Sequence, residues 1–210
     1  MHVVMESDSI LLMGPLAAGK SSIGLELSKR LNLKNYPIDR LKWYYRFKNG
    51  YDLSRGTELL RSKGFKSLIE YTKQYFGIDE IKEILNNFKG ILDLGATDTY
   101  CITLKEFAQL YLLFKPYKNS FLILPSEDDD KTEFILNQRL LQRYERHPFK
   151  EEVLDSYLNM NKEFIKHSVL NVFANHIIYV NDRTIDQVCY EIESKLILSD
   201  QTNVYRNYIN

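Results

Sequence analysis

The chain has 210 residues, which suits one α/β domain, or one domain with a small insertion, burying about 70% of its unfolded surface without disulfides or metals. Its 44% hydrophobic and 27% charged content excludes a disordered or collagen-like chain. The balance of 28 basic and 28 acidic side chains removes the global positive field of a dedicated nucleic-acid binder, though it leaves room for a local basic groove.

Ser9 to Met13 is a short apolar run that ends at Gly14. After a glycine-containing turn, Ile23, Leu27 and Leu31 share one helical face, so the pattern is strand, loop, helix. Asn35 to Ile38 reads as a second short strand, confined by Pro37 to an edge or an end. From Asp39 to about Phe88 the apolar residues recur at helical spacings and Gly50, Gly56, Gly64 and Gly77 divide the stretch into pieces, which predicts a helical insertion. Gly90–Gly95 and Ser120–Pro125 are continuous apolar strands of the kind found in parallel sheets covered on both faces, with a crossover helix over Leu104–Phe114 between them. The acids Glu127 to Asp130 suit the N-terminus of a helix that runs towards Gln142. A further helix is expected over Glu151–Phe173, a fifth strand over Ile177–Val180 and a closing helix over Ile185–Ile197, with a polar tail from Asp200 to Asn210. Alternating strands and helices of this kind make a doubly wound α/β fold with a five-stranded, mainly parallel sheet.

Two cysteines, Cys101 and Cys189, form no metal-binding pattern and read as reduced structural residues. The longest apolar stretch near the start, Ile10–Met13, is far short of the roughly 20 residues of a membrane span. Met1 to Ser9 lacks the basic residues of a secretory signal. The expected location is the cytoplasm, with no membrane partner.

The chemistry concentrates first in Gly14-Pro15-Leu16-Ala17-Ala18-Gly19-Lys20-Ser21, which matches GxxxxGK[ST], the Walker A pattern of a P-loop, between a strand and a helix. The backbone N–H groups of residues 15 to 21 are expected to wrap an anion at the helix N-terminus. Lys20 then reaches the outer phosphates, Ser21 ligates Mg²⁺, and Ser22 completes the nucleotide contacts. Asp39, just past the second strand, lies where the strand ends form a crevice, and either meets an acceptor hydroxyl or caps the following helix. Asp93 at the end of an apolar strand is either a Mg²⁺ contact or a structural hydrogen-bond partner. Gly95, Ala96 and Thr97 just beyond are expected to line the acceptor pocket. Arg139, Arg143 and Arg146 recur at spacings of four and three beside His147, and form either a lid over the triphosphate or a solvated face. Asn181 to Thr184, including Arg183, either approaches the adenine or caps the last helix. Tyr44, Arg46, Arg55 and Arg61 of the insertion are further candidate acceptor contacts.

With these residues in view, the chain resembles the shikimate-kinase-like group of small P-loop kinases over nearly its whole length. The resemblance rests on the Gly14–Ser21 loop, the strand leading to Asp39, the segment Ile91-Leu92-Asp93-Leu94-Gly95-Ala96, the arginine-rich stretch after Phe134, and the final strand–helix pair. It implies the three-layer P-loop NTPase fold, ATP on the loop, Asp39 at the substrate hydroxyl, Gly95 in the acceptor pocket and a lid arginine over the phosphates. Departures bear on the substrate. Pro37 replaces an acid found two positions before the residue matching Asp39, Gly95-Ala96-Thr97 replaces a triple-glycine turn, and Asn161, Lys162, Glu163, Lys166 and His167 stand where a carboxylate-binding arginine would be sought. Shikimate itself is therefore not the expected acceptor. The Ala-Gly-Lys-Ser-Ser string is also similar to that of antibiotic phosphotransferases and zeta-type toxin kinases.

The resulting expectation is a single P-loop kinase-like domain over 1–210, with an acceptor-binding insertion at about 39–88 and a lid at about 139–150. It moves the γ-phosphate of ATP, with Mg²⁺, to a hydroxyl of a small molecule, and is a monomer or weak homodimer. A nucleotide or RNA-end kinase and a non-catalytic ATP-binding switch are the alternatives. The absence of an Asn/Thr-Lys-x-Asp guanine motif favours ATP over GTP in each.

Overall fold

The computed structural model describes residues 9–99, 103–146, 151–166 and 171–197. Cys101, His147, Pro148, His167, the 147–150 part of the expected lid and the polar tail lie outside the described residues.

Strand β1 (Ile10–Met13) is buried at every position and occupies the centre of a five-stranded sheet whose order is β2-β3-β1-β4-β5. The other strands are β2 (Asn35–Pro37), β3 (Ile91–Asp93), β4 (Asn119–Leu124) and β5 (His176–Tyr179), and every pairing is parallel. The register places Leu12 between Asp93 on one side and Phe121 on the other. Successive side chains of a strand point to opposite faces, so β1 feeds two cores. Leu11 and Met13 join Leu92, Leu122, Ile84, Leu85 and Phe114 on one face. Ile10 and Leu12 join Ile91, Phe121, Ile23, Leu27, Val188 and Ile192 on the other. Each such aliphatic side chain contributes about 1.5–3 kcal/mol when it is fully removed from water.

Helices cover both faces, as a parallel sheet requires. Helix α1 (Lys20–Leu31) and the last helix, α9 (Ile185–Lys195), supply the second cluster. In that cluster burial pushes the Cys189 thiol up to about 11, which suits an inert packing residue. The expected insertion consists of α2 (Ile38–Lys48), α3 (Leu53–Lys63), α4 (Phe65–Lys73) and α5 (Ile78–Asn87). Helix α6 (Leu104–Phe114) crosses over to β4, and α7 (Asp129–Arg146) and α8 (Glu151–Lys166) precede β5.

Four local expectations are corrected. Ile38 belongs to α2 rather than to β2, so Asp39 sits in the first turn of a helix. Gly56 lies inside α3 and breaks nothing; it is buried beneath Tyr51, whose ring occupies the space a Cβ would need. Helix α7 continues past Gln142 to Arg146, carrying all three lid arginines on one helix. Helix α8 ends at Lys166, and Phe173 lies in a turn before β5. Pro37 ends β2 at the sheet edge, where a strand residue without an N–H is tolerated.

Candidate functional site

The site forms where β1, β2 and β3 end, because in a parallel sheet the C-terminal strand ends open a crevice. Out of β1 the chain enters the phosphate loop at Gly14, with φ +145°; a Cβ there would collide with the carbonyl oxygen of Ile123 on β4, so the loop can leave the sheet here only on glycine. Ala17 (φ 62°) and Gly19 (φ 101°) continue the turn in left-handed conformations, and α1 begins at Lys20. Lys20 is buried and donates to the carbonyls of Gly14 and Pro15, each at 2.8 Å, which leaves one of its three N–H groups for an anion. Burial lowers its pKa, while Asp93, Asp39 and Asp98 act to raise it, so all three carboxylates lie within electrostatic reach of the loop lysine.

Not every loop residue offers a donor. Pro15 has no N–H, and the N–H of Leu16 is already bonded to Oδ1 of Asn161 at 2.8 Å. The N–H of Ala18 turns back at 3.4 Å to Pro15. The loop N–H groups left for the expected anion are therefore those of Ala17, Gly19, Lys20 and Ser21, a smaller set than residues 15 to 21. Ser22 lies exposed in the first turn of α1.

Ser21 Oγ donates to Asp93 Oδ2 at 2.6 Å. Asp93 ends β3 and is only 5% exposed. Burial raises its pKa, against the opposing pull of Lys20 and the Ser21 hydroxyl. A hydroxyl and a carboxylate held together beside a phosphate loop are hard oxygen donors of the kind Mg²⁺ takes, usually with only one or two protein groups and the rest from phosphate and water.

Beyond the phosphate loop the structure brings together residues that sequence reasoning did not join. Lys42 Nζ bonds Asp39 Oδ1 at 2.7 Å, Asp98 Oδ1 at 2.7 Å and Thr97 Oγ1 at 3.1 Å, so its three protons meet three acceptors. Gly95 makes room for this cluster: a Cβ on it would run into Asp39, Lys42 and Asp98. The N–H of Gly95 also donates to Asp98 Oδ2 at 2.7 Å. The two carboxylates differ. Asp98 is fully buried, and burial pushes its pKa up although Lys42 pulls it back. Asp39 sits in a concave part of the surface, where the surrounding protein alone would push it up, but Lys42, Lys20 and Arg46 prevail and hold it below the usual aspartate value. Its side chain is 69% accessible, so a ligand can reach it.

Beside this cluster lies a cavity of about 450 Å³ between α2, the α4–α5 junction and α6. Lys42, Arg46, Thr97 and Asp98 form its inner wall, and Thr72, Gln74 and Gln109 add polar groups. Its volume falls in the range of about 300–1,000 Å³ typical of small-molecule sites. The guanidinium of Arg46 lies over the ring of Trp43 at 5.2 Å, and its buried Nε has no hydrogen-bond partner.

Among the arginines, Arg139 reaches the loop, donating from Nη1 to the carbonyl of Ala17 at 3.2 Å. Arg143 is exposed on α7; its charge lowers, and that of Asp39 raises, the pKa of Tyr157 on α8, which burial has already raised. Arg146 is exposed at the end of α7. Two candidates are placed differently. Arg183 is engaged by the Tyr179 and Gln187 carbonyls and by Glu191 at 2.6 Å, so its guanidinium ties α9 to β5. Arg61 lines a groove with Ser54, Thr57 and Glu58 that is separate from the cavity beside Lys42, and Arg55 pairs with Glu58 at 3.0 Å. Tyr44 is exposed and packs edge-on to Tyr45.

No protein-family model matches the chain, and no curated protein sequence does. Solved structures do. Shikimate kinase from Acinetobacter baumannii, in complex with shikimate, superposes with a TM-score of 0.55 at 14% identity over 97% of this chain and 96% of that one. The fold is that of shikimate kinase. The shikimate kinase of Bacteroides thetaiotaomicron (TM-score 0.48, 18% identity, 89% and 96% covered) and the tunicamycin resistance protein of Deinococcus radiodurans (0.40, 15%, 92% and 97%) are also similar.

Lys42, Asp98, Tyr157 and Asn161 are candidate site residues that sequence reasoning missed. Asp39 and Lys42 are three apart, a spacing that brings opposite charges together once both are known to lie on a helix. Asn161 interrupts an apolar stripe in α8 that includes Leu154, Leu158 and Ile165, which is the one signal of an inward-facing polar group.

Proposed function

We propose that the chain is an ATP- and Mg²⁺-dependent phosphotransferase that moves the γ-phosphate to a hydroxyl of a small molecule. The observation that carries this reading is the shared cleft: the phosphate loop, with Lys20 and the Ser21–Asp93 pair, adjoins the Asp39–Lys42–Asp98 cluster and its polar cavity. A P-loop that served only as a switch would not need the second half of that arrangement.

In the proposed reaction the N–H groups from Ala17 onward and the Lys20 ammonium bind the phosphates. Ser21 and Asp93 would hold Mg²⁺, which neutralises charge on the phosphate oxygens when bound. Asp39, with one oxygen held by Lys42, accepts a hydrogen bond from the acceptor hydroxyl. Because it is ionised and of low basicity, its part is to orient the nucleophile and receive the proton late, consistent with a loose transition state in which positioning and electrostatics dominate. Arg139 is close enough to exchange the Ala17 carbonyl for a phosphate oxygen, and Arg143 is the second lid candidate. Arg46 is the acceptor-side cation with an unmet donor.

The test is ADP release from Mg·ATP by purified protein, with and without pooled hydroxylated metabolites. Acceptor-stimulated turnover is expected, falling by about 10²-fold or more in Lys20→Ala and in Asp39→Asn, in line with the loss of a group that acts on the transition state. Tight ATP binding that no pool stimulates would instead favour a switch or a macromolecular acceptor.

A further inference from the structure

The Asn161 side chain is 0% exposed, and its only hydrogen-bonding groups form a closed pair with one residue of the phosphate loop. Oδ1 accepts from the N–H of Leu16 at 2.8 Å, and Nδ2 donates to the carbonyl of Leu16 at 3.1 Å. The contact spans 145 residues of sequence and ties α8 to the loop at the residue before the left-handed turn at Ala17. Arg139 of α7 grips the next carbonyl, that of Ala17. The α7–α8 pair thus holds two consecutive loop residues.

Such a loop is a poor structure by itself. Its N–H dipoles converge on one point, and Ala17 occupies a conformation that costs an L-residue of the order of 1 kcal/mol. Something must keep it open in the form that accepts an anion. We propose that Asn161 is a positioning residue for the nucleotide: by fixing both backbone groups of Leu16 it sets the mouth of the phosphate loop, so that α8 helps determine how tightly phosphate is gripped. This rests on the nucleotide-binding reading above. Tyr157 lies one turn earlier on the same face of α8, within the influence of Asp39 and Arg143. One helix therefore borders both the donor and the acceptor sides of the cleft.

The molecule contains its own control. Asn119 at the start of β4 is equally buried and makes the same two bonds to a single residue, accepting from the N–H of Ile197 at 2.8 Å and donating to its carbonyl at 2.9 Å. It lies at the opposite end of β4 from the loop. Asn161→Leu and Asn119→Leu therefore each remove a two-bond tie to a single residue, one beside the site and one remote from it.

The experiment measures the Kd of Mg·trinitrophenyl-ATP by fluorescence, the melting temperature, and amide hydrogen exchange across Leu16–Ser21 without nucleotide. Both substitutions lower the melting temperature. Asn161→Leu is expected to weaken nucleotide binding about tenfold or more, as loss of about two net hydrogen bonds would, and to speed exchange at Leu16. Asn119→Leu leaves both within about twofold of wild type. Asn161→Ala, which removes both bonds without forcing a larger apolar side chain against the loop, is expected to weaken binding in the same direction and serves if the leucine variant does not fold. A wild-type Kd in Asn161→Leu or Asn161→Ala, or equal weakening in Asn119→Leu, overturns the proposal. A wild-type protein that binds no nucleotide overturns instead the functional reading on which it depends.

Discussion

Lys42 illustrates how a single side chain organises a site that its neighbours in sequence do not announce. Its ammonium is buried, yet raised in pKa, because Asp98 and Asp39 together outweigh the cost of burial. A basic group raised in this way stabilises the folded state fully below its ordinary value of 10.5, and that contribution is lost as pH climbs through the higher folded value. Lys42→Met leaves two carboxylates side by side without their cation, and should cost about 3 kcal/mol or more in chemical denaturation at pH 7. The deficit should persist to about pH 10.5 and narrow only above it. A gap that instead widens steadily from pH 7 to about 10 would mean that the lysine is neutral in the folded protein. The role of Asp39 was legible in the sequence only as an alternative, acceptor contact or helix cap. The structure puts it in the first turn of α2 but bonded to Lys42, so its chemistry depends on a partner visible only once the helix is assigned. The phosphate loop needed no such help, since its residues are contiguous. Even so, the engagement of the Leu16 N–H by Asn161 lay beyond any local pattern, because the partner is 145 residues away.

At the level of elements, periodicity and turn residues located all five strands, and the limits of α6 coincide with the expected Leu104–Phe114. One misplaced break has a tertiary cause. Gly56 punctuates the sequence but not the helix, because tertiary packing under Tyr51 favours the small residue there. The C-terminal strand–helix junction shows the opposite case, in which local chemistry decides. Thr184 caps α9, accepting from the N–H of Gln187 at 3.2 Å, while Gln187 Oε1 accepts from the N–H of Thr184 at 2.9 Å. Thr184→Ala should lower stability by about 1 kcal/mol. Arg183→Ala should also destabilise α9 while leaving the nucleotide Kd unchanged, because its guanidinium is committed to Glu191 and two carbonyls. Weakened nucleotide binding in Arg183→Ala, measured by the same fluorescence titration, would return that residue to the nucleotide site.

For the molecule as a whole, the proposed nucleotide site draws on β1, α1, β3 and, through Asn161 and Arg139, on α8 and α7. A ligand bound there stabilises the entire cooperative unit rather than one loop. At about 100 times its Kd, Mg·ATP should contribute about 2.7 kcal/mol, which for a chain of this size raises the melting temperature by about 5 to 10 °C. A shift that is absent with Mg·ATP, or that survives intact in Lys20→Ala, would argue against the loop as the binding site. Among the described residues no helix is long and apolar enough to cross a membrane. The edge of the sheet at β2 has a consequence of a different kind. Its open side is only three residues long and ends at Pro37, which has no proton to offer. A second chain laid alongside would find too short a ladder, already capped, to extend the sheet into a fibre. The proline that ends β2 thus guards this border against runaway strand addition.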